Sequence, residues 1–300
     1  MVFHAGELEI QKRVGVRDIA DDVGGGIMET IPDSIAEFLK RRPFAIIGTV
    51  DSGHRAWASV VTGEPGFIKV PEPRTLKLES LPPPGDPLLA NLAAESHAAL
   101  IAIDLLKARR VRINGKALVD DGAIWMTTEQ VYANCPRYIQ ERMVVSAEPQ
   151  TRSAKVEIRR SSSLSPSQRE QIAAADTFFI ASEHPDSGAD VSHKGGNPGF
   201  VRVIDERHLG IPDYNGNRMF NTLGNLLVNP KAGLLFIDFK SGRTLQISGS
   251  ASVDFDSKRA RDFAGAERVL DFQIDEIIDN SAGFPLTAKF RQFSRYNPRP

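Results

Sequence analysis

Cysteine is almost absent from this 300-residue sequence, where Cys135 stands alone. That excludes an internal disulfide and a cysteine zinc site, and a reducing cytoplasm suits such a chain. A bias of charge is lacking too: 37 basic residues face 38 acidic ones. General attraction to nucleic acid or to an anionic membrane is therefore not expected, whereas a local anion site stays open. No apolar run approaches the roughly 20 residues of a membrane span. The N-terminal MVFHAGELEIQKRVGV breaks every apolar run with charge, unlike a signal peptide. The six histidines lack H-E-x-x-H or H-x-x-E-H spacing, so no metal is expected. Gly24-Gly25-Gly26 lacks the spacing and context of a dinucleotide loop.

What the chain has instead is 24 Gly and 19 Pro separating many short β-rich runs, the pattern of mainly β structure with a few helices. Residues 1–29 read as an arm with a short helix over Glu7 to Val14. A helix is expected from Pro32, Asp33 and Ser34, with Ile35, Phe38 and Leu39 on one face. Strands follow at Phe44 to Val50, Trp57 to Val61, Gly66 to Val70 and Thr75 to Leu78, with a short helix at Leu88 to Ala94. His97 to Leu106 and Arg110 to Asp120 read as a hairpin, and Ile124 to Val131 as another strand. Tyr138 to Arg142 is expected to open a helical turn, and Lys155 to Arg160 to be a polar strand or linker. Ser165, Pro166 and Gln168 form a capping box at the start of the next helix.

The pattern then restarts. GEPGFIKVPEPRTLKLES at 63–80 lies over GNPGFVRVIDERHLGIPD at 196–213, and HAALIAIDLLKARRVRINGKALVD at 97–120 lies over KAGLLFIDFKSGRTLQISGSASVD at 231–254. So many ordered identities indicate an internal duplication. Two copies of a β unit are expected to pack as a single-chain pseudo-dimer in which a homodimer interface has become internal. The expected boundaries are an arm at 1–29, a first barrel at 30–150, a linker and helix at 151–175 and a second barrel at 176–300.

Candidate chemistry concentrates in the second copy. In PDYNGNRMFNTLGNL, Asn215-Gly216 reads as a tight turn, Asn217 as a helix N-cap and Arg218 as a first-turn residue. A cation beside the positive end of a helix dipole is unfavourable unless an anion sits there, and a phosphate would use both features. Ser192, His193 and Lys194 precede two glycines that let backbone approach a ligand. The first copy has Ser59, Val60 and Val61 there, and no Lys or Arg between Glu79 and His97. The competing reading is a capped surface helix with a solvent-facing arginine. Cys135, in NCPRYI, reads as a buried thiol at a strand-to-helix turn.

The series GFVRVIDERHLGIPD, NRMFNTLGNLLVNPKAGLLFIDF and GRTLQISGSA resembles the pyridoxamine 5'-phosphate oxidase-related family of FMN-binding split barrels. The resemblance covers about 176–280 directly and about 40–145 through the duplication. It implies tandem six-stranded Greek-key split barrels, an FMN cofactor, and flavin-mediated hydride or electron transfer on a small-molecule substrate, with NAD(P)H as a donor. It further implies that Arg202, Lys194, Asn217 and Arg218 hold the flavin phosphate at the inter-barrel cleft, helped by Ser192, His193, Asn221 and Thr222, with Thr244 and Gln246 near the ring. The oxidase's C-terminal substrate-binding Arg and His have no counterpart in AKFRQFSRYNPRP, which speaks against vitamin B6 oxidation. The alternatives are a non-catalytic flavin or haem carrier or sensor and a scaffold without cofactor. A cytoplasmic protein is expected, with a further homodimer open.

Overall fold

The computed structural model describes residues 2–146 and 156–299; the boundary expected at residue 150 and the start of the linker lie outside the described residues. The chain opens with helices α1 (Ala5–Arg13), α2 (Arg17–Gly24) and α3 (Asp33–Lys40). Strands β1 (Phe44–Val50), β2 (Ala56–Thr62), β3 (Ile68–Glu72) and β4 (Thr75–Leu78) follow, then α4 (Leu88–Ala94), β5 (His97–Asp104), β6 (Arg109–Asp120) and β7 (Ala123–Asn134). Next come β8 (Glu141–Ser146), β9 (Ile158–Ser161) and α5 (Pro166–Ala174). The second unit holds β10 (Thr177–His184), β11 (Gly188–Gly195), β12 (Arg202–Val203), β13 (His208–Asp213), α6 (Asn221–Val228), β14 (Lys231–Ile237) and β15 (Thr244–Asp254). It closes with α7 (Ser257–Ala260), β16 (Arg268–Asn280) and β17 (Leu286–Gln292).

The two sheets share one topology. The first runs β2-β1-β5-β6-β7-β4-β3 and the second β11-β10-β14-β15-β16-β13-β12, with β9 added along β16. The fold is mainly β, a tandem of split barrels, as expected; each sheet path holds seven strands, one more than the six anticipated, because a short strand pairs at its edge. The duplication extends to irregularities: the ladder slips at Asn114/Gly115 in β6 and at the equivalent Ser248/Gly249 in β15. A β-bulge is a built feature that re-aims the strand, and its recurrence at one register point supports common descent of the halves.

Three cores follow from period-two alternation. In β5, Ala98, Leu100 and Ala102 face the first barrel's interior, while Ala99, Ile101 and Ile103 face the other barrel. In β14, Ala232, Leu234 and Phe236 fill the second interior, and Leu235 and Ile237 join the shared layer. Burial on both faces explains why these strands read as unbroken apolar runs. Close approach across the joint requires Gly233, where a Cβ would run into the Ala56 carbonyl.

Side chains cap the starts of α1, α5 and α7. Ser165 Oγ accepts from the Gln168 N–H, and Gln168 Oε1 accepts from the Ser165 N–H at 2.8 Å, completing the expected box. The helical turn expected at Tyr138 to Arg142 is corrected: Tyr138 is left-handed, with φ 65°, and Glu141 begins β8, which pairs antiparallel with β17. Its partner comes from the far end of the chain, where local sequence carries no trace of it. This ribbon joins the tails of the two copies.

Candidate functional site between the barrels

The duplication creates two clefts of common parentage, each facing one barrel's helix with the other's long strand. In the first, Gln246 of β15 crosses over and donates to the Ala58 carbonyl (3.0 Å), Ser59 Oγ (3.2 Å) and Asp86 Oδ2 (3.0 Å). Asp86 also accepts from the Leu88 N–H at 2.8 Å, filling the mouth of α4. Ile158 packs on Gly85, and Asn280 donates to the Pro84 carbonyl at 3.1 Å. The proline-rich loop thus plugs this cleft. Gln246 lies here, on the first barrel's side and away from the second barrel's cleft, and Thr244 on the same strand abuts Gly283.

In the second cleft, the counterpart of Gln246 is Arg112 of β6. Its guanidinium donates to Asp190 Oδ1 (2.8 Å), Ser192 Oγ (2.6 Å), Asn221 Oδ1 (3.1 Å) and the Tyr132 hydroxyl (3.2 Å). Ser192 Oγ also accepts from Thr222 Oγ1 at 3.0 Å. Burial opposes the charge on Arg112, but Asp190 outweighs it and raises the guanidinium pKa. Beside it, Arg110 Nη1 donates to His193 Nδ1 at 2.9 Å, and Nη2 lies 3.7 Å from Cys135 Sγ. No carboxylate pairs with Arg110 among the described residues, and burial pushes its pKa down.

Burial, then the charges of Arg110, Arg142 and Lys194, push His193 well below the ordinary histidine range. It is therefore neutral, and because Nδ1 accepts from Arg110, Nε2 carries the proton. That Nε2, the Nε of Arg110 and of Arg112, and both amide atoms of Asn134 are buried without a partner among the described residues. All four side chains line one cavity of 90 Å³, together with Ser192, Lys194, Asn217, Tyr138 and Tyr214. The unmatched atoms are N–H donors except for the single acceptor Oδ1 of Asn134. Such a wall calls for an acceptor-rich guest, since a buried donor left unpaired costs about 1–3 kcal/mol.

The loop before α6 departs from expectation. Asn215 and Gly216 form no turn; Arg137 Nη1 and the Tyr138 hydroxyl instead donate to the Asn215 carbonyl, each at 3.1 Å. Asn217 is not the N-cap: its Oδ1 accepts from the Met219 N–H at 3.1 Å, and α6 starts at Asn221 after Phe220, with φ 64°. Arg218, with φ 65°, precedes the helix rather than lying in its first turn. Two consecutive departures into left-handed backbone, at Arg218 and Phe220 around Met219, delay the helix in a way no residue preference announces.

An alternating chain of ions then absorbs the charges. Lys194 meets Asp213 at 3.0 Å, Asp213 meets Arg268 at 2.8 Å, Arg268 meets Glu267 at 2.7 Å, and Glu267 meets Arg218 at 2.9 Å. Burial would raise the Asp213 pKa, but Lys194 and Arg268 hold it below the ordinary range. Arg202 is elsewhere: exposed on edge strand β12, it lies over the Phe263 ring and donates to the Asp262 carbonyl.

The first turn of α6 has a carboxylate already. Helix α1 packs across it so closely that a Cβ on Gly6 would strike the Gly224 carbonyl. Glu7 Oε1 accepts from Asn221 Nδ2 at 2.6 Å, and His4 Nε2 lies 2.8 Å from Asn225 Oδ1. Burial pushes the Glu7 pKa up to about 7. The structure thus gathers Ser192, His193, Lys194, Asn217, Asn221 and Thr222, keeps Arg218 one ion chain away, and leaves Arg202, Thr244 and Gln246 outside. Sequence reasoning missed Arg110, Arg112, Asn134 and Glu7. The signal for the two arginines was present: they align with Thr244 and Gln246, and a pseudo-dimer exchanges those positions between clefts.

Residues 164–281 match the family model of pyridoxamine 5'-phosphate oxidase. The second barrel is a pyridoxamine 5'-phosphate oxidase family domain. The matched stretch takes in α5 through β16, and the first barrel repeats its strand order. Similar solved structures include a putative pyridoxamine 5'-phosphate oxidase from Lactobacillus delbrueckii, 20% identical over 39% of this chain and 94% of its own, with a TM-score of 0.33. HupZ from Group A Streptococcus is 13% identical over 40% of this chain and 97% of its own, at 0.34. An FAD-binding protein from Mesorhizobium loti is 16% identical over 41% and 96%, at 0.30. No curated protein matches the sequence. Among the described residues no helix is long and apolar enough to cross a membrane, and no group of three or more His, Cys, Asp or Glu could hold a metal ion.

Proposed function

We propose that the protein is an FMN-binding oxidoreductase acting on a small molecule, with one cofactor site per chain in the open cleft. The observation that carries this reading is the set of unmatched donors on Arg110, Arg112, Asn134 and His193 around one cavity. They suit the oxygens of a phosphate, and Arg110 is a positive charge without a carboxylate partner among the described residues. Lys194 and Asn217 complete the wall. At 90 Å³ the cavity takes a phosphate-sized group, well short of the 300–1,000 Å³ usual for a whole small-molecule ligand. Tyr138 and Tyr214, whose rings meet at 5.2 Å, must part to admit a flavin ring.

Bound FMN supplies the redox chemistry itself. The chain's part is to hold the anionic end, seat the ring against the tyrosines and keep water from it. His193, held neutral, serves as a donor at Nε2 across the working pH range. Gln246 and Asp86 keep the plugged cleft closed, which leaves one site.

The test is the absorbance of purified protein, followed by titration with FMN and quenching of its fluorescence. Saturable binding at one FMN per chain is expected. A Soret band would move the assignment to a haem protein, and a colourless protein that ignores added FMN would sink the reading. Steady turnover with NADH or NADPH separates an enzyme from a flavin carrier.

A further inference from the structure

A second groove, which shares no lining residue with the cofactor cavity although Thr177 pairs with Gly195 of that cavity, lies where α5 and the start of β10 meet the β8–β17 ribbon. Its volume is 500 Å³, within the range of small-molecule sites. Apolar walls come from Phe239, Phe290 and Ala174. Among its lining residues, Arg142 Nη1, Thr177 Oγ1 and both amide atoms of Gln171 are buried and have no partner among the described residues. Arg142 is 7% exposed and Thr177 2%. Through Nη2, Arg142 binds both oxygens of Asp176, at 2.6 and 2.5 Å, and its guanidinium sits 4.8 Å from the Phe239 ring and 5.6 Å from Phe290. Nη1 is left over.

The duplication supplies an internal control. The twin groove, bounded by Arg41, Arg42, Phe44 and Leu105, has a volume of 420 Å³. There the positions equivalent to Gln171, Asp176 and Thr177 hold Phe38, Pro43 and Phe44, and Arg42 stands where the second copy has Ala175. Arg42 lies on the Phe38 ring at 4.7 Å and pairs with Asp104 at 2.8 Å, so the charge native to the twin is satisfied, while Arg142 lines both grooves. The same backbone therefore folds without the polar groups of Gln171, Asp176 and Thr177. In the second copy the bulky filler has gone and unmatched donors have replaced buried apolar side chains, an exchange that costs stability unless something pairs with them.

We infer that this groove binds an aromatic monocarboxylate, its carboxylate accepting from Arg142 Nη1, Thr177 Oγ1 and Gln171 Nε2 and its ring lying against Phe239 and Phe290. Lys240 and Arg243 also line the groove, set against Glu170 and Asp238, and Arg243 is paired with Asp279. Its lining residues are distinct from those of the flavin cavity.

Titrating the full chain with phenylacetate by calorimetry, with ligand-observed NMR as a second readout, tests it. Saturable binding at one per chain is expected, at least tenfold tighter than for phenylacetamide and unchanged by saturating FMN. The double variant Gln171→Leu/Thr177→Val should lose at least tenfold in affinity while its melting temperature stays level or rises. Absence of saturable binding, equal binding of the amide, competition by FMN, or full binding by the variant would each overturn the inference. So would a variant that melts lower, because the polar groups would then be satisfied by buried water in the free protein.

Discussion

Arg110 Nη1 lies 2.9 Å from His193 Nδ1, a contact that ties β6 of one barrel to β11 of the other and fixes the imidazole tautomer. Arg110 has no carboxylate to answer its charge among the described residues, so the contact binds without neutralising. Replacing Arg110 by Met should leave the flavin-free protein as stable or slightly more stable, because an unpaired buried charge is removed. FMN affinity should fall about tenfold or more, as expected for one charge-assisted hydrogen bond of roughly 1.5–3 kcal/mol. Differential scanning fluorimetry beside an FMN titration checks both; a lower melting temperature with unchanged affinity would place the phosphate elsewhere.

The arm carries two groups that titrate against each other. Burial lifts the Glu7 pKa from 4.5 to about 7, so folding takes up a proton and stability rises as pH falls from 7 toward 4.5. Burial, helped by His184, lowers the His4 pKa from 6.5 to about 4, so stability falls as pH drops from 6.5 toward 4. The two slopes oppose one another between roughly pH 4.5 and 6.5. Glu7→Gln should stabilise by about 1–2 kcal/mol at pH 8 and lose that gain by pH 5, leaving an acid-labile arm. Urea unfolding at both pH values measures it.

Asp86 in the plugged cleft gives a contrasting case. Burial raises its pKa from 3.8 to about 6 despite hydrogen bonds from Ser59, Leu88 and Gln246, so ionisation above pH 6 costs folding energy that is recovered as pH falls toward 3.8. Asp86→Asn should therefore stabilise at pH 8 by roughly 1–3 kcal/mol and by little at pH 4. FMN affinity should not change. A loss of FMN binding in this variant would show that the plugged cleft takes part.

Gly224 has no room for a methyl group, since its Cβ would meet the backbone of Glu7. Gly224→Ala must push α1 off α6 at a cost of about 1–3 kcal/mol. Hydrogen exchange should quicken in α1 while the barrel strands stay protected; uniform protection would mean that the arm absorbs the change.

Most of the architecture was legible because both faces of the central strands, the turn glycines and the repeat itself leave marks in local sequence. Phe44–Val50, Thr75–Leu78 and Leu88–Ala94 fall where the pattern puts them. The site was harder. Lys194 and Arg218 look like phosphate ligands until Asp213 and Glu267, distant in sequence, are seen to claim them. Thr244 and Gln246 look like flavin contacts because carry-over within one copy ignores the exchange of long strands across the joint. Glu7 was invisible for a different reason: an arm can dock anywhere, and only the facing glycines, Gly6 and Gly224, hint at a crossing.

The layer between the barrels also sets the order in which the chain can mature. As synthesis proceeds, Phe44, Ile46, Ala99 and Ile101 wait for Phe179 and Leu235 to emerge, and β8 waits for β17. Until then the first barrel shows an apolar sheet face and an unpaired edge strand, the features that invite association between nascent chains. The fusion that freed the two clefts to diverge thus ties completion of the first half to a strand made about 140 residues after β8.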